Sequence, residues 1–183
     1  MEEIKDNSTL VSAETNLDTS DKISAMLNGK TVLTVDDEQS ILIMLNKLLI
    51  RLTKNCNVIA SESGDEAISK LQDRRLHPDL IISDLMMPSG TGKDLYDWLL
   101  ANRPELAGQM IFASGGVSDK LQEFYQNMFR EGRLIMKPYT ITKFRRCIGN
   151  VLFKPTAQEK ESAPKSEGEG DEAVSTKIQP DNI

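Results

Sequence analysis

The chain has 183 residues, 27% of them charged, and a formal net charge of -6 that is unevenly spread. Residues 1–29 hold two Lys against six acidic residues, residues 154–183 hold four Lys against seven, and residues 30–153 hold sixteen Lys or Arg against fifteen. The centre therefore lacks the basic excess of a nucleic-acid binder, no apolar run is long enough to predict a membrane span, and the acidic start lacks the apolar stretch of a secretory signal.

Residues 1–20 are polar and acid-rich, and their composition predicts disorder. A short helix is predicted over 21–28, ending at Gly29. With residues 1–29 read as a mostly disordered acidic extension, a single domain is expected over 30–153. The segment 154–183, with its "KSEGEGDEA" run, cannot bury a core and predicts a second disordered acidic tail.

Between these ends two periods alternate. Near-continuous apolar runs at Thr31–Val35, Val58–Ser61, Leu80–Ser83, Met110–Ala113 and Leu134–Met136 suit strands buried on both faces of a parallel sheet. Five helical segments are interleaved. The first places Ile41, Met44, Leu45, Leu48, Leu49 and Leu52 on one face. The second opens on a candidate capping box at Ser63–Glu66. The third carries Leu95, Trp98 and Leu99. The fourth carries Leu121, Phe124, Tyr125 and Met128. The fifth carries Ile141, Phe144, Ile148 and Val151 or Leu152 behind a Thr140 cap. Strands alternating with helices predict a doubly wound α/β domain with a five-stranded parallel sheet flanked by five helices.

In such a sheet the ligand site lies beyond the carboxyl ends of the strands. Asp36 and Asp37 follow the first strand, Asp84 ends the third, Ser114 the fourth and Lys137 the fifth. Three carboxylates brought together repel unless a cation joins them, and an all-oxygen set of this kind favours Mg²⁺. An Asp beside such an ion can attack phosphorus, with Lys137 neutralising the phosphoryl oxygens. Blander readings exist. Asp36, Asp37 and Glu38 suit a solvated strand end leading into a helix N-terminus. Ser114 beside Gly115 and Gly116 suits a turn, and Lys143, Arg145 and Arg146 suit a solvated helix face. Cys56, Cys147 and the single His77 show no metal-ligand spacing. The two lone cysteines fit a reduced, cytoplasmic setting.

In combination these motifs resemble the receiver domain of two-component response regulators, over about residues 30–153. The acidic pair is present, Asp84 is followed by "LMMPSGTG" with Met87, Pro88 and Gly92 in the family pattern, Ser114 supplies the hydroxyl and Lys137-Pro138 the Lys-Pro. The resemblance implies a flavodoxin-like fold with sheet order 2-1-3-4-5, and Asp84 as phosphoacceptor. It implies Mg²⁺ held by Asp37, Asp84 and the Met86 carbonyl, with Asp36 acting through water. It further implies Ser114 as sensor of the phosphoryl group, Lys137 as its ion partner and a cis Lys137–Pro138 bond. The donor would be a histidine kinase or a histidine phosphotransfer protein. The output would be a protein contact through the fourth helix, fifth strand and fifth helix, including Arg145 and Arg146, with neither nucleic acid nor membrane as partner. The chain would not be an enzyme beyond its own phosphorylation and dephosphorylation.

One position departs from the family pattern. Leu134 stands where many receivers carry a switch aromatic. Two other readings compete. A haloacid-dehalogenase-type Mg²⁺ phosphatase would need a second Asp two residues after its nucleophile at the end of the first strand, where this chain has Glu38. An inactive receiver-like interaction module would not need the complete set of Asp36, Asp37, Asp84, Ser114 and Lys137.

Overall fold

The computed structural model describes residues 21–53, 55–116 and 121–153. Its five strands, β1 (Thr31–Val35), β2 (Asn57–Ser61), β3 (Leu80–Asp84), β4 (Met110–Ser114) and β5 (Leu134–Met136), form one parallel sheet in the order β2-β1-β3-β4-β5. The helices are α1 (21–27), α2 (Gln39–Thr53), α3 (Gly64–Leu71), α4 (Gly92–Asn102), α5 (Pro104–Ala107), α6 (Gln122–Arg130) and α7 (Ile141–Leu152). The five helices expected from periodicity are α2, α3, α4, α6 and α7. The short α5, whose Pro104 occupies the first turn where no N–H is required, was not expected.

The interior strands read as unbroken apolar runs because successive side chains enter two different cores. Val32, Leu80, Ile82, Ile111, Ala113 and Ile135 face α1, α2 and α7. Leu33, Val35, Ile81, Met110, Phe112 and Leu134 face α3, α4, α5 and α6. Burying each large aliphatic side chain contributes roughly 1.5–3 kcal/mol. β2 departs from the expectation of burial on both faces. It lies at the sheet edge, and of its residues only Ser61 is buried.

Three readings of the sequence are corrected here. The buried row of α2 is Leu42, Leu45, Leu49 and Leu52, while Met44 is exposed and Ile41 and Leu48 are half-buried. The packed body does not start at residue 30, because Ile23 and Leu27 of α1 are fully buried against the α2–α7 side. A turn at Gly29, with φ 71°, connects α1 to β1, and its N–H donates to Asn55 O at 2.6 Å. On α6, Met128 is buried, and Leu121, Phe124 and Tyr125 pack against the same core, so this apolar stripe is turned inward rather than offered as an output surface. The predicted disordered segments 1–20 and 154–183 lie outside the described residues.

Strand register sets the site. Val35 pairs with Ser83, which puts Asp36 and Asp84 on adjacent strand ends. Asp84 pairs with Ala113 and Ser114 with Met136, so the next residue of each strand reaches the same edge.

Candidate functional site

At the carboxyl edge of the sheet, oxygens of Asp36, Asp37 and Asp84 lie within 4.8 Å of one another. Asp36 and Asp84 are buried and Asp37 is exposed. Lys137 Nζ bridges the two buried carboxylates, donating to Asp36 Oδ2 and to Asp84 Oδ2, both at 2.7 Å. The remaining oxygen of each is also engaged: Glu38 N–H donates to Asp36 Oδ1 at 3.0 Å, and Met86 N–H to Asp84 Oδ1 at 3.1 Å. These donors offset part of the repulsion that the sequence raised, but among the described residues the ammonium of Lys137 pairs with two of the three carboxylates and leaves Asp37 outside the pair.

Burial is the main influence on Asp36. It raises the carboxyl above its ordinary value and outweighs the hydrogen bonds from Lys137 and Glu38 that pull it down. For Lys137 burial is again the largest single influence and lowers the ammonium, but the hydrogen bonds to Asp36 and Asp84 together prevail and raise it. Both groups thus hold their protons more firmly than they would in the unfolded chain, Asp36 because of burial and Lys137 because of its two carboxylate partners.

Ser114 is fully buried at the end of β4. Its hydroxyl donates to Gly116 O and accepts from Gly116 N–H at 3.3 Å, a turn closed on itself. The main chain links it to the lysine, since Lys137 N–H donates to Ser114 O at 2.7 Å. Lys137–Pro138 is cis, and Thr140 caps α7 by accepting from Lys143 N–H.

The loop after Asp84 is clamped on two sides. A Cβ on Gly92 would collide with the Asp84 carbonyl oxygen, and one on Gly64 with the Gly90 carbonyl oxygen. Gly64 N–H donates to Gly90 O at 2.9 Å, Ser89 Oγ to Asp65 Oδ2 at 3.0 Å, and Gly90 adopts φ 71°. From sequence, Gly64 and Asp65 belong only to a capping box. In the structure Ser63 does accept from Glu66 N–H, but Glu66 reaches back to Glu62 N–H, and Gly64 and Asp65 brace the loop after Asp84. No sequence spacing reports a contact between residues 65 and 89.

A family model for the response regulator receiver domain matches residues 32–148. The chain belongs to the response regulator receiver family. The receiver domain is similar to the probable transcriptional regulatory protein TcrX of Mycobacterium tuberculosis, with 31% identity over 50% of this chain and 37% of that protein. It is also similar to the alkaline phosphatase synthesis transcriptional regulatory protein PhoP of Bacillus subtilis, with 32% identity over 51% and 37%. The chain spans about a third of the length of these relatives. A solved response regulator receiver domain protein from Clostridium thermocellum shares the fold, with a TM-score of 0.54 and 21% identity over 72% of this chain and 97% of that one. The family places the chain among the phosphoaccepting modules of two-component signalling, which interact with histidine kinases and output domains and typically bind Mg²⁺ at acidic residues. The dehalogenase-type and inactive-module readings are not favoured. Among the described residues, no helix is long and apolar enough to cross a membrane.

Proposed function

We propose that Asp84 accepts a phosphoryl group from a phosphohistidine on a kinase or phosphotransfer partner, and that the domain signals through protein contacts. The observation that carries this reading is the double contact of Lys137 Nζ with Asp36 and Asp84 at 2.7 Å, beside the exposed Asp37. An Asp84 carboxylate oxygen attacks phosphorus. The bond from phosphorus to the donor imidazole breaks, and the imidazole nitrogen keeps the electron pair and takes a proton. Lys137 then exchanges its contact with Asp84 Oδ2 for a phosphoryl oxygen, keeping the added negative charge paired.

The clustered carboxylates fit Mg²⁺ as a donor set of hard oxygens. Asp37 and Asp84 would hold the ion with the Met86 carbonyl, and Asp36 would act through water. When bound, Mg²⁺ supplies positive charge against the phosphoryl oxygens. Met86 keeps Asp84 oriented through its N–H, and its side chain is 46% exposed at the mouth of the site. Ser114 reaches a phosphoryl oxygen by opening its turn with Gly116, which moves the loop after β4. With Leu134 9% exposed and packed in the α6-side core, that loop and the start of α6 carry the change in place of an aromatic rotation.

Incubating the full chain with Mg²⁺ and acetyl phosphate tests the assignment by intact mass. One phosphoryl group should be added to the wild type and none to Asp84→Asn, whose fold is retained because the amide keeps the shape of the carboxylate. Equal labelling of the variant would place the acceptor elsewhere. Labelling that persists in acid would exclude an acyl phosphate.

A further inference from the structure

On the face formed by α6, β5 and α7 a cavity of about 380 Å³ opens between Phe129, Leu134, Met136, Cys147 and the rim residues Lys143 and Arg146. Its wall is apolar where solvent would be expected, with Phe129 65% and Met136 39% exposed. Its rim is cationic. Lys143, Arg146 and nearby Arg130 are exposed, and none has a carboxylate partner among the described residues. Half-buried Arg145 leaves its Nε without a hydrogen-bond partner. Glu131, the acid beside Arg130, is already held by Arg133 at 3.1 Å. An apolar hollow rimmed by cations that have no carboxylate partner among the described residues selects an acidic peptide that carries a small apolar side chain.

The chain contains such a segment. Glu167, Glu169, Asp171 and Glu172 stand in a run free of basic residues, followed at once by Ala173 and Val174. α7 reaches this face and ends at Leu152. Thirteen residues, 154–166, separate that helical end from the acidic run and can extend up to roughly 43 Å. Lys143 lies about 15 Å back along the helix from Phe153 at 1.5 Å per residue. The run can therefore reach every cation named here without strain, at the high effective concentration of a tethered ligand.

We propose that the acidic segment Glu167–Val174 docks on the α6–β5–α7 face of its own chain. Its carboxylates pair with Lys143, Arg146 and Arg130, and Val174 enters the hollow beside Phe129 and Met136. The contact covers the surface that an output partner would use, so it acts as an internal competitor. It does not depend on which residue is phosphorylated.

Carbodiimide cross-linking of the full chain at low salt, with peptide mapping, tests this directly. A mixture of isotopically light and heavy chains separates intrachain from interchain products. Lys143 should be joined to Glu167, Glu169, Asp171 or Glu172 within one chain. The yield should fall at least about fivefold in Arg146→Glu, and as much in 0.5 M salt, where the screening length shrinks to roughly 4 Å. Methyl resonances of Met136 and Val174 should shift together when the four acids are changed to Gln or Asn in the full chain, variants that leave the folded body untouched. Products joining light to heavy chains would mean that a second copy occupies the face. Absent products, or a yield indifferent to salt and to Arg146→Glu, would leave the face to a separate acidic partner. Either result overturns the proposal.

Discussion

Arg133 and Asp36 are almost equally buried, at 3% and 1% exposure, yet their surroundings differ in kind. Arg133 lies just before β5, and each of its three nitrogens is engaged. Its Nε donates to Met110 O at 2.8 Å, one terminal nitrogen to Ala107 O and the other to Glu131 at 3.1 Å, while its plane lies over Tyr96 and Phe112 at 5.3 and 6.0 Å. Neutral backbone acceptors and ring faces surround one cation with one anion. At the other edge of the sheet, Lys137 pairs with Asp36 and Asp84, the exposed Asp37 lies beside them, and the cluster remains in negative excess. A charge that serves only the fold can be matched by a partner at every nitrogen. Under the proposed function these carboxylates receive a cation and a phosphoryl group, and charges kept for that purpose are left partly unsatisfied, at some expense in stability.

Truncating Arg133 should have the largest effect on stability. Arg133→Met takes the guanidinium donor away from the carbonyl oxygens of Met110 and Ala107 and should lower unfolding free energy by about 3–5 kcal/mol in urea titration. Phosphorylation of the protein that remains folded should be unchanged. A loss of phosphorylation out of proportion to the folded fraction would erase the distinction drawn between the two groups.

A smaller, opposite effect is expected at the site. Asp37→Ala removes one repelling carboxylate, so in EDTA the variant should be as stable as the wild type or more stable, by up to about 1 kcal/mol. Added Mg²⁺ should raise the melting temperature of the wild type and leave the variant nearly unmoved. Equal Mg²⁺ responses would remove Asp37 from the metal site.

The smallest effect is in pH dependence without metal. The Asp36 carboxyl is raised above its ordinary 3.8 in the folded chain. The stability it contributes is therefore present at low pH and is lost as pH climbs from about 4 through the folded value. Lys137 is raised above 10.5, so its contribution persists below that pH and is lost above it. Carboxyls lowered by their partners, such as Glu66 and Asp94, give the reverse slope, so the difference between wild type and Asp36→Asn isolates the effect. In EDTA the wild type should lose stability relative to the variant as pH rises from 4 to 7. A difference independent of pH would mean that Asp36 titrates normally.

The sheet was legible because interior parallel strands are buried on both faces and so read as uninterrupted apolar runs at Leu80–Ser83 and Met110–Ala113. The site followed from it, since residues at strand ends are placed by topology alone. Asp36, Asp84 and Lys137 needed no long-range information beyond strand order. Where one helix carries two overlapping apolar rows the sequence is ambiguous, and in α2 Ile41, Met44 and Leu48 compete with Leu42, Leu45 and Leu49. Arg133 reads as a surface residue because a buried guanidinium is specified by carbonyls distant in the chain. The apolar stripe of α6 reads equally well as an exposed surface or a packed one, and only the aromatic cluster of Tyr96, Phe112 and Phe124 decides between them.

The close approach of three glycines gives this chain a mutational signature. Gly92 touches the backbone of Asp84, while Gly64 and Gly90 hold the start of α3 against the loop that follows it. Positions 64 and 90 meet directly, so a side chain at one displaces the same backbone as a side chain at the other. Two such substitutions should together be less damaging than the sum of each alone, because the second enters a gap that the first has already opened. A side chain at Gly92 would instead meet the Asp84 carbonyl oxygen. Asp84 can thus be perturbed through its own backbone and through the loop that follows it, without altering any atom of its own side chain.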